Sequence, residues 1–191
     1  FTPDSRIDRI QVDPVTFEPG TTTLTSQGEG RVGRLVAFLD QLPDVTLALT
    51  PVVSSRDAVE MRRRTLEVAI DRVARQDRIS RDEATARLLA RQAPGQPVPD
   101  DPSARLAALL ERLPLPTAHL PDLGAKRLDT VRAMATRAGI DSARLAEARL
   151  VQREEGGSQV EIDVREPDAS RTSKFRETLR RLGVPLKGAD E

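Results

Sequence analysis

The sequence predicts an α+β fold, a small mixed sheet packed by helices, and three observations lead there. Apolar segments around Val15 to Phe17 and Val45 to Val53 flank one amphipathic segment, Ser26 to Leu42, giving a strand, a helix and a second strand. Helical apolar spacing then runs with interruptions from Arg56 to Gly139. Near the end Val160, Ile162 and Val164 alternate with Glu161, Asp163 and Arg165, the pattern of a strand with one wet face.

Taken in order, residues 1–14 hold Ile7, Ile10 and Val12 among charged neighbours and either extend the first strand backwards or form a separate edge piece. Ser26-Gln27-Gly28-Glu29 fits a capping box, which predicts a helix start at Ser26. Val32, Leu35, Val36, Leu39 and Leu42 supply the apolar stripe, and Pro43 forbids continuation. The return strand through Leu47 and Leu49 is expected to fade at Pro51 and, if it shares a sheet with the first, to run parallel to it.

Arg56 to Arg75 reads as a helix with Val59, Leu66, Ile70 and Val73 inward and Met61 at one margin. Its basic positions Arg62, Arg63, Arg64 and Arg72 are read as a solvated face, because Glu60 and Glu67 stand within pairing distance. Ser80 to Glu83 is a second capping box, and Asp101-Pro102 an N-cap followed by an N1 proline. Between those helices Ala93 to Asp100 is too rich in proline for regular structure. A proline-rich connector follows at Leu113 to Pro121. It holds His119, the chain's one histidine, which without Cys or a carboxylate cluster reads as a loop residue.

Pro121-Asp122 starts another helix, carrying Leu123, Leu128, Val131 and Met134 to a stop at Gly139. Glu154-Glu155-Gly156-Gly157 reads as the turn of a hairpin between Leu145–Arg153 and Ser158–Arg165. Glu154, Glu155, Glu161 and Asp163 are read as turn and solvent-face carboxylates, since no spaced oxygen-ligand loop accompanies them. Ser170 to Leu182 has the spacing of a last amphipathic helix, followed by a frayed tail.

Composition narrows the function classes. The 191 residues suffice for one core with a sizeable insertion, and 38% hydrophobic with 31% charged residues fits a folded, helix-rich domain. Lys+Arg 30 against Asp+Glu 30 leaves no net field to gather nucleic acid or an anionic membrane. The four phenylalanines are the whole aromatic inventory, which leaves almost no material for stacking platforms, and the absence of Cys excludes disulfides and thiolate metal sites. The chain opens at Phe1 and has no long apolar run, which reads as a piece of something longer with no membrane helix of its own. No nucleophile with an adjacent base and no Gly-rich phosphate cradle is visible, so the chain is expected to be no enzyme and to need no cofactor or metal.

The corner Phe17-Glu18-Pro19-Gly20-Thr21-Thr22-Thr23-Leu24, the helix ending Leu42-Pro43-Asp44, and the following strand resemble the opening of the OmpA-like domain. In that family a Gly-x-x-Asp ends the second strand and a later helix reads Leu-Ser-x-x-Arg-Ala-x-x-Val. Here Leu123-Gly124-Ala125-Lys126-Arg127-Leu128-Asp129-Thr130-Val131 is similar to that helix and Ala138-Gly139-Ile140-Asp141 to its exit. The resemblance covers most of residues 15–153 and implies a βαβ-α-ββ core. Residues 1–14 then form an edge segment or linker, 15–165 the OmpA-like domain with a helical insertion at about 56–120, and 166–191 a C-terminal helix and tail.

Two departures bear on function. The family's Asp and the Arg matching Arg127 hold the ammonium and carboxylate ends of a diaminopimelate unit in peptidoglycan. Here Val53 stands where that Asp belongs, and Gly124 replaces the Ser. Arg127 either binds a carboxylate as a two-pronged donor, with Asp57 rebuilding a remnant site, or is structural, pairing with Asp122 or Asp129 or lying over a helix end. The other departure is the helical material between Val53 and Leu123. With the corner and the Arg144-Leu145 to Val164 hairpin, it makes the chain similar to the C-terminal region of large AsmA-like envelope proteins, relatives of AsmA and TamB.

That resemblance implies a periplasmic module of an inner-membrane-anchored protein, serving outer-membrane biogenesis or intermembrane lipid transport. Its expected partners are envelope proteins or lipid-transport partners, with no nucleic acid and no membrane insertion by this segment. The competing expectation is a peptidoglycan-binding OmpA-like domain that uses Arg127.

Overall fold

The computed structural model describes residues 10–165. The proposed helix at 170–182 and residues 1–9 lie outside them. Strand β1 (Ile10–Thr16) leads through the corner to helix α1 (Ser26–Gln41), and β2 (Thr46–Ser54) returns. Helices α2 (Ser55–Asp77), α3 (Arg81–Gln92) and α4 (Pro102–Arg112) follow, then a 3₁₀ turn at Thr117–His119 and helix α5 (Leu120–Arg137). The short strands β3 (Leu145–Glu147) and β4 (Val151–Arg153) and the longer β5 (Gln159–Arg165) complete the described chain.

The sheet is mixed, in the order β1-β5-β2-β3, with β4 continuing the edge beside β2. Both β1 and β2 are antiparallel to β5, so they run parallel to each other as expected, but with β5 between them. The hairpin expectation is corrected. β3 and β4 pair in parallel with β2, whereas β5 crosses to the other side of that strand. A four-residue turn signal cannot reveal a pairing made with strands a hundred residues earlier. Nor does β2 fade at Pro51: it continues to Ser54. Pro51, with no N–H to offer, falls in the interval between the β3 pairing, which ends at Leu49, and the β4 pairing, which begins at Val52.

The main core lies between the sheet, α1 and α5. Val15, Leu47, Leu49, Val160, Ile162 and Val164 meet Val32, Leu35, Phe38 and Leu39 of α1 and Leu128, Val131 and Ala135 of α5. Phe38 belongs to the buried face of α1, while Val36 and Leu42 are only partly buried at its margin. The α1 cap is also shifted from expectation. Thr25, not Ser26, is the N-cap, its hydroxyl accepting the Gly28 N–H at 3.0 Å. Thr25 is fixed there because its own N–H donates to the Thr16 carbonyl, which locks the helix start onto the end of β1. Gly28 is required by that closeness: a β-carbon there would stand 2.1 Å from the Thr16 carbonyl oxygen.

Helices α2, α3 and α4 build a second apolar cluster from Leu66, Ile70, Val73, Ala84, Leu89 and Leu109. The Ser80 capping box and the Asp101 N-cap with its following proline are present as read. Val59 is a correction: it is 46% exposed, and the first turn of α2 buries Asp57 and Ala58 instead. Arg63 lies between Glu60 and Glu67, in keeping with a solvated face. Among the described residues no helix is long and apolar enough to cross a membrane.

Candidate functional site

The first turn of α2 places the site. Because β2 runs directly into α2, Asp57 falls at the third helical position, and its Oδ2 accepts the Ser54 N–H at 3.0 Å, one half of a capping box. The spacing Ser54-x-x-Asp57 is the sequence signal for this. Asp57 Oδ1 accepts the Gly20 N–H at 2.7 Å and the Ser158 hydroxyl at 2.6 Å. Gly20 reaches it because the corner turns through φ +67°, a conformation that favours glycine.

Arg127 arrives from the middle of α5. Its guanidinium grips Asp57 two-pronged, Nη2 to Oδ1 at 2.6 Å and Nη1 to Oδ2 at 3.1 Å, and neither side chain has any exposed surface. Nε donates to the Thr21 carbonyl at 2.9 Å, while Nη2 and Nη1 also face the Glu18 and Val52 carbonyls at 3.4 and 3.5 Å. The Phe17 ring lies beneath, its centroid 5.3 Å from Cζ. A guanidinium has five N–H donors, and all five are used.

Burial by itself pushes the Asp57 carboxyl up. The Arg127, Gly20 and Ser158 hydrogen bonds and the Arg127 charge outweigh it and hold the group below its ordinary range. The pair therefore stands charged and closed, as a fixed internal tie between α2, α5, the corner, β2 and the residue before β5.

The sequence reading named Arg127 and Asp57, and the structure brings them together. It gives Arg127 no bond to Asp122 or Asp129, which are exposed on α5. The two altered motif positions, Val53 and Gly124, lie beside this pair and against each other. Val53 is buried with Ala58 and Leu120, with Met61 and Leu150 packed against them. A β-carbon on Gly124 would meet Leu150 Cδ1 at 2.3 Å and Val53 Cγ1 at 3.4 Å. Leu150, which sequence reasoning missed, fills the space over Gly124. It sits in the interruption between β3 and β4, where no periodicity marks it.

The other candidates lie apart. His119 is exposed at the end of the 3₁₀ turn. Glu161 pairs with Arg153 at 2.8 Å and accepts from Gln159, and Glu154 and Glu155 are exposed at the turn. A cleft of about 340 Å³ opens beside the first turn of α2, lined by Ser55, Ala58, Leu115, Leu120, Gln152 and Arg153 among others. Asp57 and Arg127 do not line it.

No family model matches the chain, and no curated protein matches it. Among solved structures, the chain is similar to the C-terminal domain of Helicobacter pylori MotB (residues 125-256), at 15% identity and a TM-score of 0.50. The match covers 91% of this chain and 99% of that one. At that identity the likeness speaks to architecture alone, and the architecture is an α+β fold of the OmpA-like kind.

Proposed function

We propose that this chain is a non-enzymatic structural or interaction module of the cell envelope: the periplasmic OmpA-like domain of a large AsmA-like protein anchored in the inner membrane. Its peptidoglycan clamp has been turned inward. The observation that carries this reading is saturation. Asp57 receives five hydrogen bonds and Arg127 spends all five N–H groups on protein acceptors, with both side chains fully buried. An outside carboxylate would have to separate that pair. Breaking a buried ion pair costs about 3–5 kcal/mol, roughly two to four orders of magnitude in affinity.

Val53 in place of the family's Asp, and Leu150 over Gly124, remove the other half of such a ligand's seat. The element left for partners is the helical insertion, α2 to α4, which is held together by its own buried apolar cluster. The partners suited to this reading are envelope proteins or lipid-transport proteins serving outer-membrane biogenesis or intermembrane lipid transport.

Co-sedimentation with purified peptidoglycan sacculi tests the reading, with a peptidoglycan-binding OmpA-like domain as positive control. The domain is expected to stay in the supernatant. Saturable retention competed away by free diaminopimelate would overturn the proposal in favour of a working cell-wall binder built on Arg127.

A further inference from the structure

We infer that the Arg127 cradle is an intact carboxylate-binding site whose occupant is the chain's own Asp57, delivered by the first turn of α2. The inference rests on the inward-turned clamp proposed above and says what the clamp now holds. The donors come from places remote from α2. The Gly20 N–H is supplied by the corner 37 residues before Asp57, the Arg127 guanidinium by α5 70 residues after it, and the Ser158 hydroxyl 101 residues after it. Only the Ser54 N–H is local.

Arg127 is also fixed without Asp57. The Thr21, Glu18 and Val52 carbonyls take its other N–H groups, and the Phe17 ring supports its plane. The receptor is thus assembled by the corner, the end of β2, α5 and the residue before β5. The carboxylate is brought by the leading turn of the helical insertion. A group held that way is a tethered ligand: lifting the first turn of α2 would vacate a seat shaped for one carboxylate on a slender stem.

Asp57→Ala removes a carboxylate group from that seat, and formate is that group carrying a hydrogen. Thermal unfolding of Asp57→Ala and Asp57→Gly is therefore followed against sodium formate, with sodium chloride at matched ionic strength. Binding to the folded state alone raises the melting temperature as the site fills. The expected result is a rise of about 3 °C with formate and none with chloride, growing with the logarithm of formate concentration once the site is filled, a size typical of a ligand worth about a factor of five in the folding equilibrium.

The wild-type protein, its seat filled, should show no difference between formate and chloride, and adding Arg127→Gln to Asp57→Ala should abolish the response. Variants that fold only when formate is present support the inference equally. Equal effects of formate and chloride overturn it, as do variants that stay unfolded at every formate concentration. The two ideas fail separately: retention of the wild-type protein on sacculi defeats the closed clamp, whereas absent formate rescue defeats only the tethered carboxylate.

Discussion

Leu150 rests on Gly124 so closely that a β-carbon at Gly124 would come within 2.3 Å of Leu150 Cδ1. The α5 position where the related motif carries a Ser is thus occupied from outside the helix, by a side chain from the interruption between β3 and β4. Glycine in mid-helix is tolerated here because its missing side chain is what admits Leu150.

This contact fixes the sign of a double-mutant cycle. Gly124→Ala gains up to about 1 kcal/mol of helix propensity and loses about 1 kcal/mol by overpacking. In the wild-type background Leu150 Cδ1, the end of a flexible side chain, must turn aside, so Gly124→Ala should be less favourable there by about 1 kcal/mol than when Leu150 is truncated. In a Leu150→Ala background the clash is gone, and Gly124→Ala should become stabilising by roughly 0.5–1 kcal/mol. Urea unfolding of the four proteins reads the cycle. The same effect of Gly124→Ala in both backgrounds would show that Leu150 does not constrain the site.

Asp57 gives a pH dependence of definite sign. Its carboxyl is held below its ordinary value near 3.8 when folded, so its contribution to stability is complete above that value. The contribution is lost as pH falls further, through the lower folded value. Asp57→Asn leaves Arg127 buried without its counter-charge and should cost about 3–5 kcal/mol at neutral pH. The gap between wild type and variant should shrink steadily from pH 4 towards pH 2. Chemical denaturation across pH 2–7 measures it, and a gap that stays constant across the range would exclude the carboxylate as its source.

The legible and illegible parts of this structure divide by distance along the chain. Helix starts at Ser80 and Asp101 follow from side chains three residues from the amides they cap. The Thr25 cap was displaced by one residue because it answers to Thr16, a partner nine residues back that no local pattern exposes. The insertion of β5 between β1 and β2 is likewise a choice among pairings far apart in sequence, and the alternation of Val160, Ile162 and Val164 fits any of them. Of the site, Arg127 and Asp57 were legible through a motif and a neighbouring charge. Their mutual burial was not, because Gly20 and Ser158 contribute a backbone amide and a hydroxyl that carry no signature.

Arg144 makes a further test of such distant ties. The last turn of α1 has no basic residue of its own, and Arg144 supplies the charge from 105 residues past Leu39 along the chain. Its guanidinium donates to the Leu39, Leu42 and Val45 carbonyls at 3.0, 2.6 and 3.0 Å, closing the exit of α1 and the start of β2 together. Arg144→Ala should cost about 1.5–3 kcal/mol, the range for hydrogen bonds from a charged group. Arg144→Lys should recover less than half, because a single ammonium cannot reproduce the planar fork. Differential scanning calorimetry of both variants decides this; a lysine that restores full stability would reduce the arrangement to simple charge at a helix end.

The register of β1 on β5 carries a mechanical consequence. Ile10 pairs with Val164, so the first and last described strands are antiparallel neighbours whose outer ends lie side by side. Tension applied across residues 10 and 165 pulls this ladder apart like a zipper, breaking one rung at a time instead of shearing all of them together. The buried Arg127–Asp57 tie stands at the opposite end of the sheet, beyond the Val52 and Gln159 pairing, and bears none of that load until β5 has been peeled away. A domain loaded in this way yields at its attachment end first and keeps its locked end to the last.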